Sequence, residues 1–421
     1  MPASLPQTRR EIRQIQGARL QELLREILPA NRFQQAKFDA AGLTAADIRS
    51  LDDWHKVPFT TKSDLAADQV EYPLYGSNLT YPMTRYTRLH QTSGTTGTPI
   101  RWLDTNESWG ALLRSWSQLF SLMGLTPLDR LFFAFSFGPF LGFWAGFDGA
   151  NRLGNLCLAG GGMSSAARVR FLLDHQVTVV CCTPTYAMRL AETAAELGVD
   201  LASSPVRALL VAGEPGGNIP ATRQLLETAW GARVVDHWGM TEIGPLAIET
   251  PEAPGTLTVL ETECIAEILD PATGRPQPPG VEGELVMTTL GRGASPILRY
   301  RTGDRVRALP GEGLLRLDGG ILGRVDDMIT IRGNNLYPAA LENVIRQFPD
   351  VAEFRIEVRV QRAMQHVRIE IEPAKSVDAT ALCEKIVNAV RVRWNFQAEV
   401  VAVAELPRFE MKGQRFKKIE S

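Results

Sequence analysis

Residues 208–217 read ALLVAGEPGG, a short apolar run that ends in a turn of glycine and proline. Two similar apolar runs precede it, LFFAFS at 131–136 and VTVVCC at 177–182, and a third follows it, RVVDHW at 233–238. Stretches with the spacing of amphipathic helices separate these runs. Short apolar strands that alternate with helices are typical of a mostly parallel sheet buried between helices. The sequence therefore predicts an α/β fold for this region.

The chain has 421 residues, more than one hydrophobic core usually supports, because single cores stop growing near about 250–300 residues. We therefore expect two domains. Apolar residues within 8–27 recur at helical spacing, which predicts an amphipathic helix packed on the main body. The 45 basic and 47 acidic residues give a net charge of −2, with no like-charged block of the kind that binds nucleic acid. Arg415, Lys417 and Lys418 form only a short basic cluster. Small molecules are the expected partners.

The pattern changes near residue 255. Between 255 and 320, short strands are separated by turns such as PATGRPQPPG, which predicts a small antiparallel sheet or barrel-like part. From 323 onward, strands and helices follow one another in the order of a compact α+β unit. The sequence therefore predicts a large domain at 1–322 and a small one at 323–421.

The cysteines indicate the compartment. They are odd in number and form no CxxC pair, which favours a reducing environment. The N-terminal residues lack the apolar core of a signal peptide, and no stretch approaches the roughly 20 apolar residues of a membrane helix. We expect a cytoplasmic protein with no membrane partner. The five histidines show no metal-ligand spacing, so a zinc site is not expected.

Residues 91–99, QTSGTTGTP, form the sharpest motif. Hydroxyl residues alternate with glycine, giving a loop rich in the N–H and O–H donors that polyphosphate requires. The loop lacks the lysine of an ordinary P-loop, so that class of NTPase is disfavoured. A surface linker of Ser, Thr and Gly is the alternative for this motif taken alone.

Two further segments follow predicted strands. Gly213-Glu214-Pro215 follows ALLVA, and Gly239-Met240-Thr241-Glu242 follows RVVDHW. Ligands of open parallel sheets bind outside the carboxyl ends of strands, so we expect both segments to border one crevice. Trp238 offers a flat face to a purine, and Thr241 offers a hydroxyl to phosphate. Glu242 offers a carboxylate oxygen to Mg²⁺.

A carboxylate in RYRTGD, Asp304, can accept hydrogen bonds from both ribose hydroxyls. Each of these residues also has a plainer interpretation. Trp238 would be a core residue, Glu242 a solvated surface acid and Asp304 a turn residue. The nucleotide interpretation depends on their occurring together.

The ordered motifs TSGTTGTP, GEP, HWGMTE, RYRTGD, GRVDD, RGNNLYP and PRFEMKG resemble the acyl-adenylate-forming superfamily of acyl-CoA ligases, peptide-synthetase adenylation domains and luciferases. The stretch ILGRVDDMITIRGNNLYPAALE is most similar to phenylacetate-CoA ligases and related aryl-CoA ligases. The resemblance runs from about residue 55 to the end. It implies an N-terminal adenylation domain, a mobile C-terminal domain, and ATP, Mg²⁺ and coenzyme A as cofactors.

The resemblance also implies roles for individual residues. Those expected to contact the nucleotide or coenzyme A are Thr92, Ser93, Gly94, Thr95, Thr96, Gly97, Gly213, Glu214, Pro215, Asp236, His237, Trp238, Gly239, Met240, Asp304, Arg324 and Gly333. Lys412 matches the catalytic lysine. Thr241 and Glu242 are the other expected catalytic residues, and Glu242 is also the expected metal ligand. Asp326 matches the hinge. Two positions depart from the family pattern, because Met411 replaces a glycine and Thr330 replaces a lysine.

The expected substrate is a small aromatic carboxylic acid, because FAFSFGPFLGFWAGF at 133–147 is crowded with rings that can form a flat apolar slot. Phe137 and Phe140 are predicted to contact it, together with His237 and Gly239. Most of the other rings, and His237 itself, have a core position as their alternative. Free coenzyme A is the favoured acceptor. An acyl carrier protein or an amine stays open as an acceptor, and a homodimer stays open as the assembly.

Overall fold

The protein is described from a computed structural model. It describes residues 5–92, 99–327, 329–331, 334–361, 364–409, 413 and 415–419. The chain forms two compact units. The first consists of Met1–Gly162, Val177–Cys181 and Val235–Gly320, and the second of Met163–Gln176, Cys182–Val234 and Ile321–Ser421.

The described helices are labelled α1 to α10 in chain order. They are Arg9–Ile27, Arg32–Ala40, Lys62–Glu71, Asn106–Leu122, Gly142–Arg152, Ser165–Asp174, Pro184–Glu196, Pro220–Trp230, Pro338–Ile345 and Ala379–Trp394. Short 3₁₀ turns lie at Ala45–Asp47, Leu51–Lys56, Met83–Arg85 and Leu201–Ser203. Within the described residues, we find no helix with both the length and the apolar character needed to cross a membrane.

The described strands are labelled β1 to β20. The first ten are Tyr86–Gln91, Arg101–Thr105, Arg130–Phe133, Leu156–Ala159, Val179–Cys182, Ala208–Val211, Arg233–Met240, Gly244–Glu249, Thr256–Val259 and Cys264–Leu269. The others are Glu282–Thr289, Tyr300–Arg307, Arg316–Asp318, Gly323–Arg324, Ile329–Ile331, Asn334–Leu336, Val351–Gln361, Met364–Pro373, Glu399–Ala402 and Phe416–Ile419.

The first unit contains β3 and most of β5, two of the strands that the sequence predicts. β3 pairs in parallel with both β4 and β5. All four residues of β5 are buried, which explains why this strand is a continuous apolar run rather than an alternating one. Helices α4 and α5 pack against each other in the same unit. The mixed α/β class expected from the alternating pattern is confirmed.

Of the two alternatives predicted for 255–320, the antiparallel sheet is confirmed and the barrel is wrong, because the described strands form no closed barrel. β10, β11 and β12 make an open antiparallel sheet. β9 and β13 do not join it, since β9 pairs with β8 and β13 pairs with β9. A barrel closes only when its first and last strands pair. Here β9 and β13 belong to a different sheet from β10, β11 and β12.

The N-terminal helix packs as its spacing predicts. The Thr8 side chain caps α1 and Glu11 bonds back to the Thr8 backbone, forming a capping box. The apolar face of α1 is buried in a cluster that includes Leu20, Leu24 and Trp54.

The second unit contains the C-terminal α+β structure. Its sheet has the strand order β19–β18–β17–β20, in which β17 and β18 form a long antiparallel hairpin. Helices α9 and α10 cover it through one apolar cluster that includes Leu341, Ile369 and Ile386. Strand β6 and helices α6, α7 and α8 belong to this unit as well. The predicted domain boundary between 322 and 323 stays a prediction.

Candidate active site

Trp238 and Asp304 come together in the first unit. The indole Nε1 of Trp238, near the end of β7, donates to Oδ2 of Asp304 at 2.8 Å. Both residues are buried, with 8% and 6% of their surfaces exposed. Asp304 lies inside β12, whereas the sequence placed it after a strand. The ring and the carboxylate predicted to bind a nucleoside are therefore direct neighbours.

A tight hairpin supports this end of β7. β7 continues through Gly239 and Met240 and pairs with β8, with a register shift between Trp238 and Gly239. A Cβ on Gly239 would lie 2.7 Å from the carbonyl oxygen of Gly244. Glycine is required here because the two backbones approach closely. Earlier in β7, the N–H of Asp236 donates to Oε2 of Glu249 at 3.0 Å.

The turn after β7 holds Thr241 and Glu242. The Glu242 side chain is buried and its Oε1 accepts a hydrogen bond from the hydroxyl of Tyr300 at 3.2 Å. Among the described residues, no cation pairs with this carboxylate. A buried carboxylate that pairs with no described cation fits the oxygen ligand that Mg²⁺ prefers.

Arg292 fixes the backbone of this turn. Its Nη1 donates to the carbonyl oxygens of Thr241 at 2.5 Å and Glu242 at 3.1 Å. Its Nε and Nη2 donate to both carboxylate oxygens of Asp104 on β2, at 2.7 and 2.6 Å. Both side chains are almost fully buried. Sequence reasoning missed this pair, because an arginine in the loop LGRGAS has no pattern that distinguishes it from a surface residue.

Thr92, the first residue of the predicted phosphate loop at 92–97, is held by two hydrogen bonds to Ile100. Thr92 donates its N–H to the carbonyl of Ile100, and its Oγ1 accepts from the N–H of Ile100, both at 3.0 Å. The preceding residue, Gln91, donates its N–H to the carbonyl of Pro139 at 2.7 Å. The remaining predicted loop residues, Ser93, Gly94, Thr95, Thr96 and Gly97, lie outside the described residues.

The contact with Pro139 joins the start of this loop to the aromatic loop, residues 134–141 between β3 and α5. Phe137 and Phe140 are both half-buried there, as their loop position predicts. The Phe137 ring lies 4.5 Å from that of Phe135 and 4.7 Å from that of Trp144. The Trp144 indole also donates to the carbonyl of Gly138 at 3.0 Å. The aromatic loop is therefore held by both ring packing and hydrogen bonds.

His237 is a buried neutral histidine. Its Nδ1 lies 2.8 Å from the carbonyl of Ala247 and so donates to it, and its ring lies 4.5 Å from that of Trp116. Burial lowers the pKa of His237 to about 4. Trp116 in turn contacts Phe143, whose ring lies 5.4 Å from that of Phe135. Ring contacts thus continue from β7 to the aromatic loop.

In the second unit, the Glu214 carboxylate bridges two backbone N–H groups. It accepts from Thr185 in the first turn of α7 at 2.8 Å and from Gly413 at 2.5 Å. Its neighbours Gly213 and Pro215 are exposed. A Cβ on Gly216 would lie 2.4 Å from Cβ of Pro184, so the turn packs tightly against the start of α7.

Arg415 lies beside this bridge. Its Nε and Nη2 donate to the Glu353 carboxylate at 2.6 and 2.8 Å, and its Nη1 donates to the Thr185 hydroxyl at 2.8 Å. The sequence had grouped Arg415 with Lys417 and Lys418 as a basic cluster. Only the two lysines are exposed, on the edge strand β20, whereas Arg415 is largely buried.

The remaining described positions, Arg324 and Asp326, lie at the predicted hinge. Arg324 pairs with Asp326 through its Nε at 2.9 Å, and the Asp326 side chain is 65% exposed. Gly333 and Lys412 lie outside the described residues, so their roles stay predictions.

Comparison with known proteins places these features in a family context. Residues 89–292 match the sequence profile of the AMP-binding enzyme family, and residues 333–418 match that of the AMP-binding enzyme C-terminal domain. The phenylacetate-coenzyme A ligase of Escherichia coli (strain K12) is 30% identical over 422 residues, which cover 96% of this chain and 94% of that ligase.

Two solved structures of 2-hydroxyisobutyryl-CoA ligase are similar in fold. One was solved in the postadenylation state in complex with 2-HIB-AMP. It is 28% identical in sequence and has a TM-score of 0.92, and the match covers 100% of this chain and 94% of that chain. The other is in complex with 2-HIB-AMP and CoA in the thioesterification state, is 29% identical and has a TM-score of 0.74, covering 98% and 90%. The likeness in sequence and in fold extends over nearly the whole chain.

Proposed function

The chain belongs to the AMP-binding enzyme family, as an acyl-adenylate-forming enzyme that resembles phenylacetate-CoA ligase, and from this premise we propose that it activates a small aromatic carboxylic acid. The enzyme is an AMP-forming acid–CoA ligase that uses ATP and coenzyme A. The finer proposal concerns the acid, which we place at the size of benzoate or phenylacetate.

The packing of the aromatic loop carries this proposal. Phe137 and Phe140 are half-buried, so part of each ring remains available to a ligand. The Phe137 ring has other rings on its sides, at 4.5 Å and 4.7 Å, which favours a short, flat apolar space over a long channel. The bond between Gln91 and Pro139 ties this loop to the beginning of the phosphate loop, where the acid and the nucleotide must meet.

The reaction has two steps. A carboxylate oxygen of the acid attacks the α-phosphorus of ATP, pyrophosphate leaves, and acyl-AMP forms. The sulfur of coenzyme A then attacks the acyl carbon, AMP leaves with the bonding electrons, and the thiol proton passes to solvent. The protein contributes by holding the reactants in line and stabilising the charge on the phosphate oxygens.

We assign parts of this work to particular residues. Asp304, fixed by the Trp238 indole, would accept the ribose hydroxyls. Lys412 would stabilise the charge that develops on the α-phosphate. Glu242 would hold Mg²⁺, which neutralises phosphate charge when it is bound. A side-chain nucleophile is not needed, since the mixed anhydride is itself reactive toward a thiol.

Two alternatives differ in the acid or in the acceptor. The likeness to 2-hydroxyisobutyryl-CoA ligase makes a small branched hydroxy acid the second candidate substrate, with His237 as a neutral hydrogen-bonding group near the aromatic rings. An acyl carrier protein or an amine as acceptor, a homodimer, and the cytoplasmic location remain predictions of the sequence alone.

The test is ATP–pyrophosphate exchange with benzoate, phenylacetate, 2-hydroxyisobutyrate and octanoate, followed by detection of the CoA thioester. We expect one of the two aromatic acids to give the highest kcat/KM. Phe137→Ala should move the preference toward octanoate, because it removes a ring from the proposed pocket. Phe171→Ala, which removes a half-buried ring on α6 outside this cluster, is the control.

The outcomes separate the candidates. Fastest exchange with octanoate in the parent enzyme would contradict the short pocket. Fastest exchange with 2-hydroxyisobutyrate would establish the second candidate instead.

A further inference from the structure

The contacts of Gly413 and Arg415 suggest how the segment next to Lys412 is held. These two residues bond to parts of the chain that are remote in sequence, Glu214 and Thr185, which lie 199 and 230 residues away. The partners themselves are joined, because the Glu214 carboxylate also accepts from the Thr185 N–H. The four residues therefore form one polar cluster, which we call the Thr185 cluster.

The Thr185 cluster is tightly packed and largely shielded from water. Thr185 is 4% exposed, and the Arg415 side chain is 10% exposed. A Cβ on Gly413 would lie 2.6 Å from Nη1 of Arg415 and 2.8 Å from Oγ1 of Thr185, so no larger residue fits without displacing them. Charge-assisted hydrogen bonds in such surroundings are strong and directional.

Charges around the cluster fix the orientation of Arg415. Glu353 accepts from both Arg415 and Arg346, and the two guanidinium groups lie near the ring of Phe354, at 5.5 and 4.7 Å from its centroid. With Nε and Nη2 bound to Glu353, only Nη1 of Arg415 turns toward Thr185. The Thr185 hydroxyl is thus the point at which this buried ion pair is connected to α7.

We propose that Thr185 and Glu214 are positioning residues for adenylate formation, because they hold Gly413 and Arg415, which closely follow Lys412 in the sequence. This rests on the proposed role of Lys412 in the first step. Glu214 holds the backbone at Gly413 by accepting from its N–H. Thr185 holds the side chain of Arg415. The role of Thr185 needs no contact with the substrate.

The test compares Thr185→Val, which has nearly the same shape but no hydroxyl, with Thr185→Ser, which keeps the hydroxyl. Single-turnover pyrophosphate release from ATP reports the first step, with phenylacetate or 2-hydroxyisobutyrate, whichever exchanges faster in the parent. Thioester formation from supplied acyl-adenylate and CoA reports the second step. Circular dichroism and urea unfolding report folding.

Thr185→Val should slow the first step about tenfold or more, since it removes a hydrogen bond to a charged group. It should leave the second step within about twofold, because thiol attack on a ready-made adenylate does not need charge stabilisation during displacement of pyrophosphate. Thr185→Ser should restore the first step to within about twofold of the parent enzyme.

A Thr185→Val enzyme that is normal in the first step, or that loses both steps equally, overturns the proposal in favour of a purely structural role. Lys412→Ala, measured alongside, tests the premise separately. If Lys412→Ala is slow in adenylation and Thr185→Val is not, the positioning role fails and the catalytic role stands. If only Lys412→Ala is normal, the catalytic role of Lys412 fails, and with it the proposal that the cluster acts by positioning Lys412.

Discussion

The guanidinium of Arg292 connects β2 to the turn that holds Thr241 and Glu242. Asp104 on β2 neutralises it, and the carbonyls of Thr241 and Glu242 accept its remaining donors. A planar guanidinium can form all of these bonds at once, whereas an ammonium group of the same charge cannot. The geometry of the residue, more than its charge, therefore holds the turn.

We therefore predict that Arg292→Lys impairs adenylation and changes its dependence on Mg²⁺. We expect adenylation to slow about tenfold and the Mg²⁺ concentration for half-maximal rate to rise, because the Glu242 backbone loses a hydrogen bond to a charged group. Initial rates over a Mg²⁺ titration measure both effects. The control is Arg301→Lys, which alters a bidentate arginine on β12 that pairs with Glu284 outside the turn. An unchanged Mg²⁺ dependence in Arg292→Lys would rule out this positioning role.

At the level of single residues, the sequence predicts the chemical role of a side chain more readily than the partner that it contacts. The resemblance singled out Trp238 and Asp304 separately, but it did not predict that one donates to the other. Arg292 and Thr185 were missed altogether, because their roles depend on partners remote in the chain. Arg415 was placed in a basic tail on the basis of its neighbours, although its own side chain pairs with Glu353.

Among the elements, the β7–β8 hairpin sets the position of the turn that holds Thr241 and Glu242. The sequence placed Gly239 and Met240 after a strand, since glycine usually interrupts one. In the structure they continue β7, because glycine permits the close approach of Gly244 and Pro245 on β8. The predicted barrel failed for a related reason. Local patterns locate strands such as β10, β11 and β13, but they do not specify which sheet each strand joins.

Gly239→Ala should therefore impair catalysis in a folded protein. The added Cβ would lie 2.7 Å from the Gly244 oxygen and 3.0 Å from the Pro245 Cα, and both are backbone atoms that move only if the hairpin opens. We expect adenylation to fall about tenfold to a hundredfold, since small displacements of catalytic groups have effects of this size. Pre-steady-state pyrophosphate release measures it.

Gly17→Ala is the matched control. Its Cβ would meet no atom within 4 Å, and Gly17 lies inside α1. It should leave adenylation unchanged and stabilise the helix by about 0.5–1 kcal/mol. If Gly239→Ala behaved in the same way, the hairpin would not control the turn.

At the scale of the whole molecule, buried histidines make stability depend on pH. Burial lowers the pKa of both His90 and His237 to about 4, from 6.5. Between these values, the unfolded chain binds protons that the folded chain excludes, so stability rises with pH through this window and is lost as pH falls from 6.5 toward 4. For His237 alone, we expect a loss of about 2 kcal/mol between pH 7 and pH 5, at 1.36 kcal/mol per unit of pKa difference.

His237→Asn isolates this contribution. Asparagine can place its Nδ2 near the position of the histidine Nδ1 and so still donate to the carbonyl of Ala247, but it does not titrate. The variant should lose stability at pH 7 because it fills less of the space beside Trp116. Its further loss between pH 7 and pH 5 should be smaller than that of the parent by about 2 kcal/mol. Urea unfolding at the two pH values measures both free energies. An equal loss in the two proteins would mean that His237 becomes protonated in the folded state, which would require water or a counter-charge to reach its ring.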